Sequence, residues 1–124
     1  IICYAWTSVS GYSSFGSYYG NGNAIGPFVY TGFRPRFILV KSTANGENWG
    51  LFDTARDPNN NGNLEKLTAD ESNQEATDTG SYFDILSNGF KIKASGGLTN
   101  ANNDLYIYAA FAENPLSLNG GLAR

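Results

Sequence analysis

Hydrophobic residues in this chain come in short runs, among them Phe37-Ile38-Leu39-Val40, entered through Pro35-Arg36 and left through Lys41. Four consecutive apolar side chains show no alternation, which predicts a central strand covered on both faces. Pro35 has no N–H to donate and suits the first residue of a strand. Gly32-Phe33-Arg34 before the run and Asn45-Gly46 after it read as turns. Trp49, Leu51 and Asp53 then alternate with Gly50, Phe52 and Thr54, the pattern of an antiparallel partner. The two segments are predicted to form the central hairpin of a β-sandwich.

The same reading extends outward. Residues 1–9 (Ile-Ile-Cys-Tyr-Ala-Trp-Thr-Ser-Val) have strand composition, and Phe28-Val29-Tyr30 is a short strand. Residues 11–23 mix Gly, Ser and Asn with Tyr12, Phe15, Tyr18 and Tyr19, so they read as turning backbone with aromatic packing; Asn21-Gly22-Asn23 is its tight turn. Residues 57–63 are the most polar loop. Thr68-Ala69-Asp70-Glu71 fits a capping box, predicting the chain's one short helix near residues 69–75. Residues 82–86 and 90–94 flank Ser87-Asn88-Gly89, a strong hairpin signal. Residues 105–113 form a last, largely buried strand that ends at Asn114-Pro115. The core is expected to collect Phe37, Leu39, Phe90, Ile92 and Phe111.

Composition narrows the class. The 124 residues suffice for one domain with its own core. Eighteen aromatics, fifteen Gly and fifteen Asn predict a turn-rich, all-β domain. The expected fold is a two-sheet antiparallel β-sandwich of eight or nine strands, with a jelly-roll-like order left open. Net charge is −3 and the eight Lys and Arg are scattered, which disfavours nucleic acid as a partner. No run approaches the roughly 18 apolar residues of a membrane span, so no membrane insertion is expected. Cys3 is the single cysteine and reads as a small hydrophobe in a strand. Residues 1–6 echo residues 106–111: Ile2 falls on Ile107, Ala5 on Ala110 and Trp6 on Phe111, one domain length apart. That echo and the absence of an initiating Met predict a chain cut from a longer one. Residues 1–10 would then be the closing strand of a preceding repeat, 11–114 the sandwich and 115–124 a tail.

Candidate chemistry is sparse. With no histidine, His-based triads and His-ligated metal sites cannot be built. Asp53 and Asp84 lie on strands and are the pair to examine for glycoside hydrolysis. The expectation is nonetheless no enzyme and no cofactor. Asp57-x-Asn59-x-Asn61-Gly62 copies the first half of a calcium loop, but Thr68 stands where the bidentate acid is required, so Asp57, Asn59 and Asn61 are a weak metal candidate and tight binding is not expected. Exposed rings among amides are the means of sugar recognition. Tyr18, Tyr19, Asn21 and Asn23, with Asn102 and Asn103, are the candidate receptor-contact residues. Arg34 and Arg36 read as structural, pairing with nearby acids such as Asp53.

The ordered series Gly11-Tyr12-Ser13, Phe15-Gly16-Ser17-Tyr18, Gly20-Asn21-Gly22, Gly26-Pro27-Phe28-Val29-Tyr30, Gly32-Phe33-Arg34-Pro35, Asp53-Thr54-Ala55-Arg56, Leu86-Ser87-Asn88-Gly89-Phe90-Lys91 and Tyr106-Ile107-Tyr108-Ala109-Ala110-Phe111 covers nearly the whole chain. It resembles the repeated C-terminal domain of tail-fibre and related virion structural proteins of tailed, especially marine, bacteriophages. The resemblance implies a non-enzymatic virion module, located in the phage particle at the distal end of a tail fibre. It implies a homotrimer beside other virion proteins, contacting a host-surface glycan or protein. The alternative is a purely structural virion component, a head decoration or fibre-shaft domain without receptor contact.

Overall fold

The computed structural model describes residues 1–56, 65–75 and 82–115. Eight strands run through them: β1 (Ser13–Tyr19), β2 (Phe28–Tyr30), β3 (Pro35–Ser42), β4 (Gly50–Asp53), β5 (Lys66–Thr68), β6 (Phe83–Leu86), β7 (Gly89–Ile92) and β8 (Leu105–Ala112). All pair antiparallel, in a five-stranded sheet ordered β1-β8-β3-β4-β5 and a three-stranded sheet ordered β2-β7-β6. The sheets pack into a β-sandwich whose core joins Tyr18, Ile38, Val40, Phe52 and Tyr106 of the larger sheet to Val29, Phe83, Ile85, Phe90 and Ile92 of the smaller. First pairs with last and second with second-last, the nesting of a jelly roll. The likeness ends at β4 and β5, which extend the larger sheet.

β3 is the middle strand of the larger sheet, as its apolar run predicts, and Pro35 is its first residue. A register shift between Pro35 and Phe37 leaves Arg36 as the extra residue, and the Arg36 carbonyl accepts the Thr54 N–H at 2.9 Å. The two faces of β3 are not equivalent. Ile38, Val40 and Ser42 point into the core, whereas Phe37, Leu39 and Lys41 point away from the second sheet and are half-buried. β8 repeats the division, with Tyr106, Ala110 and Ala112 buried and Ile107 and Phe111 on the outer face. The expected single core therefore divides: Phe90 and Ile92 belong to it, but Phe37, Leu39 and Phe111 do not. In a period-2 strand, consecutive residues cannot share a face.

Other expectations change for reasons of pairing. Residues 1–8 form no strand, and the segment meets β1 through the isolated Val9–Ser13 bridge, a Phe15 N–H bond to Ser8 Oγ at 3.0 Å, a Ser13 Oγ bond to the Thr7 carbonyl at 3.1 Å and a ring contact of Trp6 with Phe15. Cys3 is exposed on it instead of lying buried in a strand. Residues 13–19, read as turning backbone, are the seven-residue strand β1, because β8 supplies a full antiparallel ladder from Ser13↔Phe111 to Tyr19↔Leu105. The helix near residues 69–75 is absent. Thr68 is taken up by β5 opposite Gly50, and Asp70 Oδ1 accepts the Trp49 N–H at 3.0 Å. Glu71 accepts from Asn73 Nδ2 and makes no capping box with Thr68. The 57–63 loop, with candidate ligands Asp57, Asn59 and Asn61, and the tail beyond residue 115 lie outside the described residues.

Candidate functional site

At one end of the sandwich, three connections meet: residues 20–27 after β1, 43–49 after β3 and 93–104 before β8. A single buried amide ties two of them. Asn100 Nδ2 donates to Asn21 Oδ1 (3.0 Å), the Asn23 carbonyl (2.8 Å) and the Ala94 carbonyl (2.8 Å), and its Oδ1 accepts the Asn21 N–H at 2.9 Å. Two tyrosines in the core reach the same loops with their polar tips. The Tyr18 hydroxyl donates to the Thr99 carbonyl at 2.8 Å. The Tyr106 hydroxyl donates to the Gly97 carbonyl at 2.5 Å and accepts the Ala101 N–H at 2.8 Å. Gly20 closes the gap from the other side: its N–H donates to the Asp104 carbonyl, its carbonyl accepts the Asn103 N–H, and a Cβ there would lie 2.2 Å from the Ala101 carbonyl. Asn45 Nδ2 bonds Asp104 Oδ2 and joins the third connection. The result is a polar platform on a stiff base.

The six candidate contact residues converge on this end but differ in role. Tyr18 is a correction: it is 8% exposed, stacked on Tyr106 at 5.2 Å, and anchors the loop from below. It faces inward because it lies opposite Tyr106 on the inner side of the ladder. Asn21 and Asn23 are exposed, but their side-chain oxygens accept backbone N–H groups of Asn23 and Ile25, and Asn21 Nδ2 donates to the Ile25 carbonyl. Their amides shape the loop. Tyr19, Asn102 and Asn103 are exposed at the surface, Asn103 with φ of 63°. The anchors Asn100 and Tyr106 escaped the sequence reading. A buried Asn among surface Asn residues carries no distinguishing local signal.

Burial raises the Tyr18 phenol well above its ordinary value, and Tyr106 beside it adds to the effect. Burial also raises Tyr106, although its bond from Ala101 works against this. Both are therefore neutral donors at ordinary pH. Asp53 and Asp84 lie on the outer faces of different sheets, and each meets its own cations: Asp53 lies 3.9 Å from Arg36 and from Arg56, and Asp84 lies 2.9 Å from Lys93. The opposite end of the sandwich holds a concavity of about 260 Å³ around Arg34 and Glu113, which pair at 3.5 Å.

A second surface lies on the outer face of the five-stranded sheet. Its register aligns Phe15, Ala109, Leu39, Leu51 and Leu67 in one apolar row across all five strands. Rings continue it: Trp6 stacks on Phe15 at 6.2 Å, Phe15 meets Phe111 edge-on at 5.7 Å, and Phe111 meets Phe37 at 5.8 Å. The sequence reading assigned Phe37, Leu39 and Phe111 to the core and Trp6 to a separate strand.

The model of a family described as a domain of unknown function (DUF7483) matches residues 1–115, the leading segment included. No curated protein and no solved structure matches the chain significantly.

Proposed function

We propose, from the premise that the chain belongs to the DUF7483 family, that it is a non-enzymatic virion module of a tailed bacteriophage, a distal tail-fibre domain that contacts a host-surface glycan or protein. The observation that carries the reading is the loop platform. Tyr19 is exposed at the end of β1, and Asn102 and Asn103 are exposed on a loop beside it that Asn100, Tyr18 and Tyr106 hold in place. Pre-ordered loops lose little entropy when they bind, and a ring beside amides suits a sugar's apolar face and its hydroxyls. In this reading the domain works in the virion, as a homotrimer beside other virion proteins, and uses no cofactor.

A glycan array with the purified chain, repeated with Tyr19→Ala and Asn102→Ala, tests it. The expected result is binding to one class of surface glycan, weakened about tenfold by either substitution with no change in the unfolding midpoint. Absence of the chain from intact particles, or host-cell binding indifferent to both substitutions, overturns the reading. The apolar outer face favours a second reading, a purely structural virion component, which predicts no binding on the array and no loss of host-cell attachment.

A further inference from the structure

The outer face of the five-stranded sheet is left unfinished by the fold. In a sandwich, one face of each sheet is buried and the other is normally polar. Here the outer row from Phe15 through Leu39 to Leu67 carries no charge, and two apolar hollows remain on it. One, of about 350 Å³, lies between Trp6 and Trp49 over Leu39 and Ala109; the other, of about 180 Å³, lies beside it among Trp6, Phe37 and Phe111. The leading segment reaches this face but does not cover it. Trp6 rests on Phe15 and Tyr4 stacks on Trp6 at 6.0 Å, while Ile2 is 82% exposed, Tyr4 74% and Trp6 66%.

We propose that this face is an interface between copies of this chain, in which residues 1–8 of one copy lie across the apolar row of another. Three observations select a second copy as the occupant. Each chain offers both an uncovered apolar segment and an uncovered apolar face, so one surface supplies both halves of a self-complementary contact. The contact between Trp6 and Phe15 within one chain shows that the two chemistries fit.

Charge points the same way. Residues 1–8 carry no charged side chain. The charges bordering the face are engaged within the chain: Arg36 and Arg56 near Asp53, Arg56 also on Glu75, and Lys41 on the Glu47 carbonyl. An uncharged segment can therefore cover the apolar row without bringing a new ion onto it. A sugar is disfavoured in the larger hollow. No outer-face side chain lining it carries a hydroxyl: Tyr108, the one hydroxyl-bearing residue at its border, turns its ring inward against Phe90 at 5.5 Å. Hydroxyl-rich ligands need several convergent polar partners.

The inference does not rest on the glycan reading, since its residues are not those of the loop platform. The single native cysteine provides a test. Cys3 is exposed on the leading segment and takes a nitroxide label without another substitution. Labelled chain is mixed with isotopically labelled Cys3→Ser chain that bears no nitroxide. Paramagnetic broadening in the unlabelled copies is expected at Leu39, Leu51 and Ile107, and not at Asn102 or Asn103. In parallel, light scattering over a concentration series should show association. Ile2→Asp and Ile107→Glu, both at exposed positions, should each weaken it about tenfold and leave circular dichroism unchanged. No broadening in the nitroxide-free copies, broadening elsewhere on them, a monomer at every concentration, or association indifferent to both substitutions would each overturn the proposal.

Discussion

Asn100 is the residue on which the loop platform depends. Its two side-chain N–H groups serve three acceptors and its Oδ1 accepts one N–H, so truncation leaves the Asn21 N–H and two loop carbonyls without their partner. A buried unpaired group costs about 1–3 kcal/mol. Asn100→Ala is accordingly expected to lose about 3 kcal/mol in chemical denaturation, and Asn100→Asp at least as much, since an oxygen would face three oxygens. A loss under about 1 kcal/mol would mean that water takes over the bonds. Tyr18 contributes a pH dependence with a definite sign. Its phenol is raised above the ordinary value of 10.0. Above that pH the unfolded chain releases the proton while the folded chain keeps it. The contribution is thus fully present below about pH 10 and is lost as pH rises toward the folded value. Guanidinium midpoints at pH 8 and pH 11 should differ, and Tyr18→Phe should reduce the difference. Equal midpoints in the parent chain would remove this role from Tyr18.

At the scale of the element, the decisive fact is the alternation of β3 and β8. The two strands share the register Phe37↔Phe111, Ile38↔Ala110, Leu39↔Ala109 and Val40↔Tyr108, so each pair assigns both members to one face. Phe90 is fully buried between the sheets, against Phe83 at 5.3 Å and Tyr108 at 5.5 Å. Phe111 lies half-buried outside. Phe90→Ala should therefore cost about 3–5 kcal/mol, whereas Phe111→Ala should cost about half as much or less. Equal losses in denaturant melts would put Phe111 back into the core. The hairpin between β6 and β7 was legible from Asn88-Gly89, yet its turn residues are Ser87 and Asn88, because Leu86 pairs with Gly89. Gly89 belongs to the strand: a Cβ there would lie 2.1 Å from the Val29 carbonyl of β2. The dipeptide announced the hairpin, and contact with a third strand chose the register.

For the whole molecule, the question is whether the leading segment is part of the fold or an addition to it. None of residues 1–8 enters the core between the sheets, and the ring contact of Trp6 with Phe15 is worth about 0.5–1.5 kcal/mol. Deleting residues 1–8 should leave the sandwich folded, with a stability loss of about 1 kcal/mol. It should also abolish concentration-dependent association. Circular dichroism and light scattering on the shortened chain would check both. A shortened chain that fails to fold would assign the segment to this domain's own core.

The sequence by itself determined the class and most of the strands. Apolar runs bounded by Gly, Asn and Pro predict a turn-rich β-sandwich. β2, β3, β4, β6, β7 and β8 are local in origin, because their composition and turns act over a few residues. What it could not determine depends on neighbours distant in sequence. Residues 13–19 and residues 1–9 look alike or even reversed in strand propensity. Only the former becomes a strand, because β8 lies beside it with a free ladder. Thr68 reads locally as a helix cap and becomes the end of β5 because β4 offers Gly50 as its partner. The assignment of Phe37, Leu39 and Phe111 to an outer face follows from which side the second sheet packs on. Four consecutive apolar residues cannot encode that, since a strand's alternation defines two faces without saying which will be buried.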